Sequence, residues 1–161
     1  MPKVYLSLGS NIGDRAANIS RALDAMRQCG VRITRESSLY ETEPVEFRDQ
    51  DWFLNSVVEA ETELPPLELM NAALAVERSL GRERRVPKGP RLIDIDILLY
   101  GDSVIHTPDI DIPHPRMAAR RFVLVPFAEI APNALHPVLN KTLAELLNDT
   151  SDRSTVRRAS S

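Results

Sequence analysis

The sequence predicts an α+β fold in which an antiparallel sheet carries helices on one face and leaves the other face for ligand. Three observations support this prediction: segments with the period-2 alternation of strands, segments with helical spacing, and the order β-α-β-β-α-β along the chain. That order is typical of ferredoxin-like layers. We expect one domain at residues 1–148, because residues 149–161 lack apolar content and are predicted to be a flexible tail.

The first half of the chain contains four strands and one helix by this interpretation. The first strand covers 4–8, where apolar and polar side chains alternate. Asp14 is placed to cap the next helix, since apolar residues follow it at helical spacing. These residues are Ile19, Ala22, Leu23 and Met26. Further strands are predicted at 31–34, 37–42 and 53–61.

The second half is predicted to begin with a helix that starts at Pro65-Pro66 and stops at Gly81 as a C′ residue. Its expected inward residues are Leu67, Met70, Ala73, Leu74 and Leu80. A strand from Ile93 follows, then a Pro-rich turn and an apolar stretch at 117–130. Thr142 and Glu145 form a capping box for a last short helix.

Asp94 and Asp96 are the most informative residues of the chain. Because side chains alternate on a strand, Ile93, Ile95 and Ile97 point one way and the two carboxylates point the other. Adjacent carboxylates repel each other unless a cation holds them together. They suit Mg²⁺, which takes oxygen ligands and shares them with substrate phosphates.

A cationic loop precedes this strand and adds a second phosphate-binding feature. It holds Arg82, Arg84, Arg85, Lys88 and Arg91 among Gly and Pro residues. The alternative is that the two aspartates form the wet face of a sheet and the arginines a solvated loop. These features alone leave both interpretations open.

Composition excludes several classes of protein. Lys plus Arg number 20 against 23 Asp plus Glu, so no overall basic footprint for nucleic acid exists. Cys29 is the only cysteine, which excludes an internal disulfide. No long apolar run or secretory signal is recognisable, so we expect a cytoplasmic protein.

Two polar residues occupy unfavourable positions. Asn55 lies within a strand and shares a face with Phe53, so it is either a ligand contact or an edge residue bonded to a turn. Glu77 lies on the inward face of the second helix, where burial of a carboxylate is costly unless it has a bonding partner or a functional role. An ion pair with Arg82 or Arg84 is the alternative to a functional role.

These motifs together resemble the 6-hydroxymethyl-7,8-dihydropterin pyrophosphokinases of folate biosynthesis. The resemblance runs from the first strand to about Leu147 and centres on the signature Gly-Pro-Arg-x-x-Asp-x-Asp at 89–96. The other matching segments are 8–11, 38–42 with Pro44, 53–55, Glu77, 81–82, 113–114, 120–124 and 129–132. It implies transfer of pyrophosphate from ATP to the pterin hydroxymethyl group, with AMP released.

The resemblance also implies a role for each site residue. Asp94 and Asp96 match ligands of two Mg²⁺ ions. The residues that match ATP contacts are Glu77, Arg82, Arg84, Arg91, Ile97, Ile110, Asp111, Ile112, His114 and Arg120, and Lys88 belongs to the same loop. Arg82 and Arg91 are also expected to orient the reacting groups. The residues that match the pterin pocket are Thr42, Pro44, Val45, Phe53, Asn55 and Phe122.

The chain departs from the family pattern mainly in the cationic loop. Lys88 stands where an aromatic residue is common, and Pro87 replaces a basic residue. Two other classes of function remain as alternatives: an inactive nucleotide or pterin sensor, and a ferredoxin-like nucleic-acid module. The second lacks the surface aromatic residues and basic stripe of such readers. We expect small-molecule substrates, no nucleic acid or membrane partner, and a monomer.

Overall fold

A computed structural model describes residues 1–44, 49–81 and 92–159. Their elements are β1 Lys3–Ser10, α1 Arg15–Gln28, β2 Val31–Glu36, β3 Tyr40–Thr42, β4 Phe53–Thr62, α2 Pro66–Leu80, β5 Asp94–Tyr100, β6 Ile105–His106, β7 Asp111–Ile112, a 3₁₀ turn at Met117–Ala119, α3 Arg121–Ile130, α4 Leu143–Asp149 and β8 Val156–Arg158. None of the helices in these ranges has the length and apolar character that a membrane span requires.

The main sheet is antiparallel and has the order β5-β1-β4-β3-β8, with β2 pairing to β4 beside β3. A separate hairpin joins β6 and β7. The α+β class and the ferredoxin-like arrangement are therefore confirmed. Strand β5, with Asp94 and Asp96, pairs with β1 at one side of the sheet.

One face of the sheet is apolar and packs against α1 and α2. Leu6 of β1 and Ile97 of β5 are paired in register and are almost fully buried there. The alternate residues predicted to face inward join the same core, namely Val4, Leu8, Leu54, Val58, Ala60, Ile93 and Ile95. The period-2 pattern therefore identified this face correctly.

The opposite face is divided between helices and polar residues. Helices α3 and α4 cover one end of it through a second core of Tyr5, Val57, Leu98, Leu99, Phe127 and Leu143, among others. A register shift between Tyr5 and Leu6 against β5 brings both Leu98 and Leu99 into this core. Among the described residues, α3 and α4 therefore cover one end of the face that was expected to bind ligand, and Ser7, Gly9 and their cross-strand neighbours lie at the other end.

The predicted helix caps are present at both helices for which they were expected. Asp14 Oδ1 accepts the Ala17 N–H at 3.1 Å and starts α1. Thr142 and Glu145 exchange the reciprocal hydrogen bonds of a capping box at α4.

The predicted inward face of α2 was wrong in part. Leu69, Ala73 and Val76 are buried, whereas Leu67 and Leu74 are 46% and 39% exposed. Both sets have helical spacing, and packing against α1 and β5 selects one of them.

Gly81 ends α2, although not as the left-handed residue that the sequence suggested. Its φ of −143° is extended. A Cβ at this position would lie 2.8 Å from Leu92 Cβ, so close packing is what requires glycine here.

The C-terminal segment also differs from the loose tail that was expected. Val156–Arg158 forms β8 and pairs with β3. Low apolar content did not prevent ordering, because the segment satisfies its backbone groups through the sheet ladder.

Candidate active site

A row of small and polar residues crosses three strands at the uncovered end of the sheet. Gly9 of β1 lies between Asp94 of β5 and Asn55 of β4, while Ser7 is paired with Asp96. Paired residues on neighbouring strands share a face, so these side chains lie on one surface. Two strand spacings place the Cα atoms of Asp94 and Asn55 about 10 Å apart.

Glu77 holds the strand that carries the two aspartates. Its Oε2 atom accepts a hydrogen bond from the backbone N–H of Ile95 at 2.7 Å. Ile95 is the residue between Asp94 and Asp96, so this bond fixes the aspartate segment against the end of α2. The functional task that sequence reasoning left open for Glu77 thus includes positioning β5.

The residues around Asp94 and Asp96 fit a magnesium site that is completed by substrate. In the described ranges, no group of three or more His, Cys, Asp or Glu side chains could hold a metal ion by itself. Mg²⁺ keeps several waters and is commonly bound by one or two carboxylates plus substrate phosphates. The cross-strand neighbours Gly9 and Ser7 are small, which leaves room for such ligands beside the carboxylates.

Asn55 is fixed from three sides. Its Oδ1 atom accepts the Thr42 hydroxyl at 2.5 Å, and its Nδ2 atom lies 3.5 Å from the Leu8 carbonyl oxygen. A Cβ added to Gly9 would lie 2.6 Å from the same Nδ2 atom. Asn55 and Thr42 are only 4% and 1% exposed. Asn55 therefore bonds within the sheet rather than to a turn.

His114 is held beside β5 in its neutral form. Its backbone N–H donates to the Leu98 carbonyl at 3.0 Å, and its Nδ1 atom accepts the Arg116 N–H at 3.1 Å. Burial, together with the charges of Arg120 and Arg116, lowers its pKa to about 4, although Asp94 partly opposes this. With Nδ1 accepting, the proton of the neutral ring is on Nε2, where it can be donated to an anion.

The other predicted residues within the described ranges are spread over several elements. Phe122 lies at the start of α3, with the Arg120 guanidinium 5.5 Å from its ring centre. Ile97, Ile110 and Ile112 have their side chains buried in the α1/α2 core, so they offer mainly backbone groups to a nucleotide. The remaining three are exposed Asp111, half-buried Phe53 and buried Pro44.

The family model described as 7,8-dihydro-6-hydroxymethylpterin-pyrophosphokinase matches residues 5–132. The chain belongs to this family. It is 48% identical over 127 residues to the pyrophosphokinase of Bacillus subtilis, covering 78% of this chain and 76% of that protein. The corresponding protein of Aquifex aeolicus is 44% identical over 145 residues, with 90% of each chain covered.

Longer relatives contain the same region. The folic acid synthesis protein fol1 of Schizosaccharomyces pombe is 42% identical over 145 residues, which are 89% of this chain and 20% of that protein. This chain therefore spans about a fifth of the fol1 length. The crystal structure of Plasmodium falciparum HPPK-DHPS with pteroate superposes with a TM-score of 0.74 at 19% identity. That superposition covers 91% of this chain and 42% of the other, and it supports the fold.

Sequence reasoning missed Arg15, which joins the start of α1 to β3 and to the residue before β4. Arg15 forms a two-pronged ion pair with Glu41, with N–O distances of 2.6 and 3.1 Å, and also donates to the Trp52 carbonyl at 3.0 Å. A cation in the first turn of a helix opposes the helix dipole. That unfavourable placement was a signal that Arg15 has an acidic partner.

Asn11, part of the motif at 8–11, ties the end of β1 to the segment before β4. Its Nδ2 atom donates to Gln50 Oε1 at 2.8 Å and to the Asp51 carbonyl at 3.0 Å. Several predicted pyrophosphokinase residues lie outside the described residues, namely Val45, Arg82, Arg84, Lys88 and Arg91.

Proposed function

We propose that this chain transfers the pyrophosphoryl group of ATP to 6-hydroxymethyl-7,8-dihydropterin and releases AMP, a step of tetrahydrofolate biosynthesis. The observation that carries the proposal is the row joining Asp94 and Asp96 to Asn55 on one face of the sheet in a member of the pyrophosphokinase family. A carboxylate pair at one end and a fixed amide at the other suit a phosphate and a flat heterocycle.

Asp94 and Asp96 would hold Mg²⁺, for which we propose two ions. Bound there, the metal would neutralise phosphate charge and lower the pKa of the attacking hydroxyl. Asp96 is our choice for the group that receives the hydroxyl proton. The hydroxymethyl oxygen then forms a bond to the β-phosphorus as the bond from that phosphorus to the α–β bridging oxygen breaks.

Positioning and charge neutralisation dominate such a transfer. His114 would donate its Nε2–H to a phosphate oxygen, and Arg120 would add a positive charge beside it. Arg82, Arg84, Arg91 and Lys88 would complete the set of cations around the triphosphate, with Arg82 and Arg91 orienting the reacting groups. The bond from Glu77 to Ile95 supports a role in presenting both aspartates to the metal.

Asn55 would recognise the hydrogen-bonding edge of the pterin, and the rings of Phe53 and Phe122 would stack on its faces. The pocket would be completed by Thr42, Pro44 and Val45. The adenine would lie near Ile97 and the backbone of 110–112. We further propose a cytoplasmic monomer with no nucleic-acid or membrane partner.

The direct test measures AMP from ATP and Mg²⁺ with and without 6-hydroxymethyl-7,8-dihydropterin. AMP should form only with the pterin and in equal amount to the pterin diphosphate. A 6-methyl pterin provides the matched control, because it lacks the attacking oxygen. Release of ADP, or AMP formation with the control, would overturn the proposal, and binding without turnover would identify a sensor.

A further inference from the structure

The C-terminal segment lies beyond the family match at 5–132 and extends the sheet next to the predicted pterin pocket. Val156 of β8 lies opposite Thr42 of β3 in the ladder. The pairing continues past the strand, because the Glu43 N–H donates to the Thr155 carbonyl at 3.2 Å and Glu43 Oε1 accepts the Thr155 N–H at 2.7 Å. Residues 40–43, just before Pro44, therefore have their outer hydrogen-bond partners in this segment.

The side chain of Arg157 joins both arms of the β3–β4 hairpin. Its guanidinium lies 4.9 Å from the ring centre of Trp52, the residue just before Phe53. Arg157 is also the ladder partner of Glu41. Hydrogen bonds from Arg15 lower the pKa of Glu41, and the charge of Arg157 adds a smaller contribution of the same sign. Arg157 thus lies close to groups on both arms of the hairpin.

The start of the segment is attached to a second wall of the predicted pocket. Asp152 Oδ2 accepts the backbone N–H of Arg121 at 2.8 Å, at the first turn of α3. The Arg121 guanidinium donates in turn to the Ser154 carbonyl at 3.1 Å. Arg120 and Phe122, which are predicted ATP and pterin contacts, flank this anchored residue in the sequence.

We propose that the segment 150–158 is a strap that positions the pterin pocket by holding the β3–β4 hairpin and the start of α3 in one arrangement. The inference rests on the proposed function and assigns Arg157 and Asp152 as positioning residues. If the pocket is assembled in only a fraction of the molecules, the apparent affinity for its ligand is reduced in proportion to that fraction. The strap should therefore change pterin affinity strongly and ATP affinity only slightly, because it reaches the predicted ATP contacts only through the neighbour of Arg120.

The first experiment ends the chain at Thr150 and compares KM for pterin, KM for ATP and kcat with those of the full chain. The KM for pterin should rise about tenfold, because the binding-competent arrangement becomes a minor state. The KM for ATP should stay within about twofold. Melting temperature is measured alongside, and all assays are run well below it.

Point variants keep the test decisive if the shortened chain does not fold. Arg157→Ala should raise the KM for pterin about threefold. Arg157→Lys keeps a cation over Trp52, so its KM for pterin should stay close to that of the wild type. Arg32→Ala is the matched control, because its exposed guanidinium on β2 pairs with Glu61 on β4, outside the strap. It should behave as the wild type.

Three outcomes would overturn the strap: unchanged constants in the Arg157→Ala variant, equal rises in both KM values, or a loss of melting temperature with no change in KM. Failure of the proposed function would look different. It would appear in the full-length wild type as an absence of pterin-dependent AMP, before any variant is compared.

Discussion

The two faces of the central sheet are built from alternate residues of the same strands, yet one face forms the apolar core and the other carries the candidate active site. On β5, Ile95 and Ile97 face the α1/α2 core, while Asp94 and Asp96 face the uncovered end of the other side. Substitutions on the first face should change stability, and substitutions on the second should change chemistry. The contrast shows how a rigid apolar layer can hold two carboxylates side by side.

The largest expected effect is on the polar face. Asp94→Ala or Asp96→Ala should lower kcat by about 10³-fold or more, because charge neutralisation at the transferring phosphates is lost. Without ATP and Mg²⁺, the melting temperature should stay close to that of the wild type, because neither side chain belongs to the apolar core. Asp102→Asn is the control, as Asp102 is an exposed residue just beyond β5. Wild-type turnover in either alanine variant would remove the aspartates from the metal site.

A substitution on the apolar face should lower stability and leave kcat nearly unchanged. Leu6→Ala should lower the free energy of unfolding by about 2–5 kcal/mol, the usual cost of a cavity at a fully buried leucine. Urea denaturation measures this loss. The kcat per folded molecule should remain close to that of the wild type. A large fall in kcat with stability retained would show that the two faces are not independent.

A third substitution tests the pterin end of the polar row. Gly9→Ala should displace the Asn55 amide, because the new Cβ would lie 2.6 Å from Nδ2. Asn55→Ala should weaken pterin binding by about 1–3 kcal/mol through loss of a buried polar contact. Calorimetric titration should show reduced pterin affinity for both variants. If ATP affinity fell equally, the assignment of Asn55 to the pterin pocket would be wrong.

The smallest expected effect concerns protonation of His114 in the unliganded protein. Its folded pKa of about 4 lies below the ordinary histidine pKa of 6.5. The unfolded chain therefore binds a proton first as the pH falls, and the free energy of unfolding decreases between these two values. We expect His114→Asn to reduce the loss between pH 7 and pH 4.5 by roughly 1–2 kcal/mol. Identical pH slopes in urea denaturation would show that His114 is not buried in its neutral form.

The local sequence pattern predicted the structure correctly wherever a single physical requirement determined it. The strand faces followed from alternation, as Leu6 and Asn55 illustrate, and the α1 and α4 starts followed from the capping side chains of Asp14 and Thr142. The pattern failed on α2, where two apolar stripes were compatible with a helix and Leu74 was assigned to the wrong one.

By itself, the sequence determined the main strands, the helices α1, α2 and α4, the apolar face and the position of Asp94 and Asp96 on one face of β5, because these depend on neighbours within a few residues. Only the tertiary structure decided that Gly9 lies between Asp94 and Asn55, since this depends on strand order and register. It likewise decided that Val156–Arg158 joins β3. Such a pairing is made by backbone hydrogen bonds between distant segments, and these leave little trace in side-chain composition.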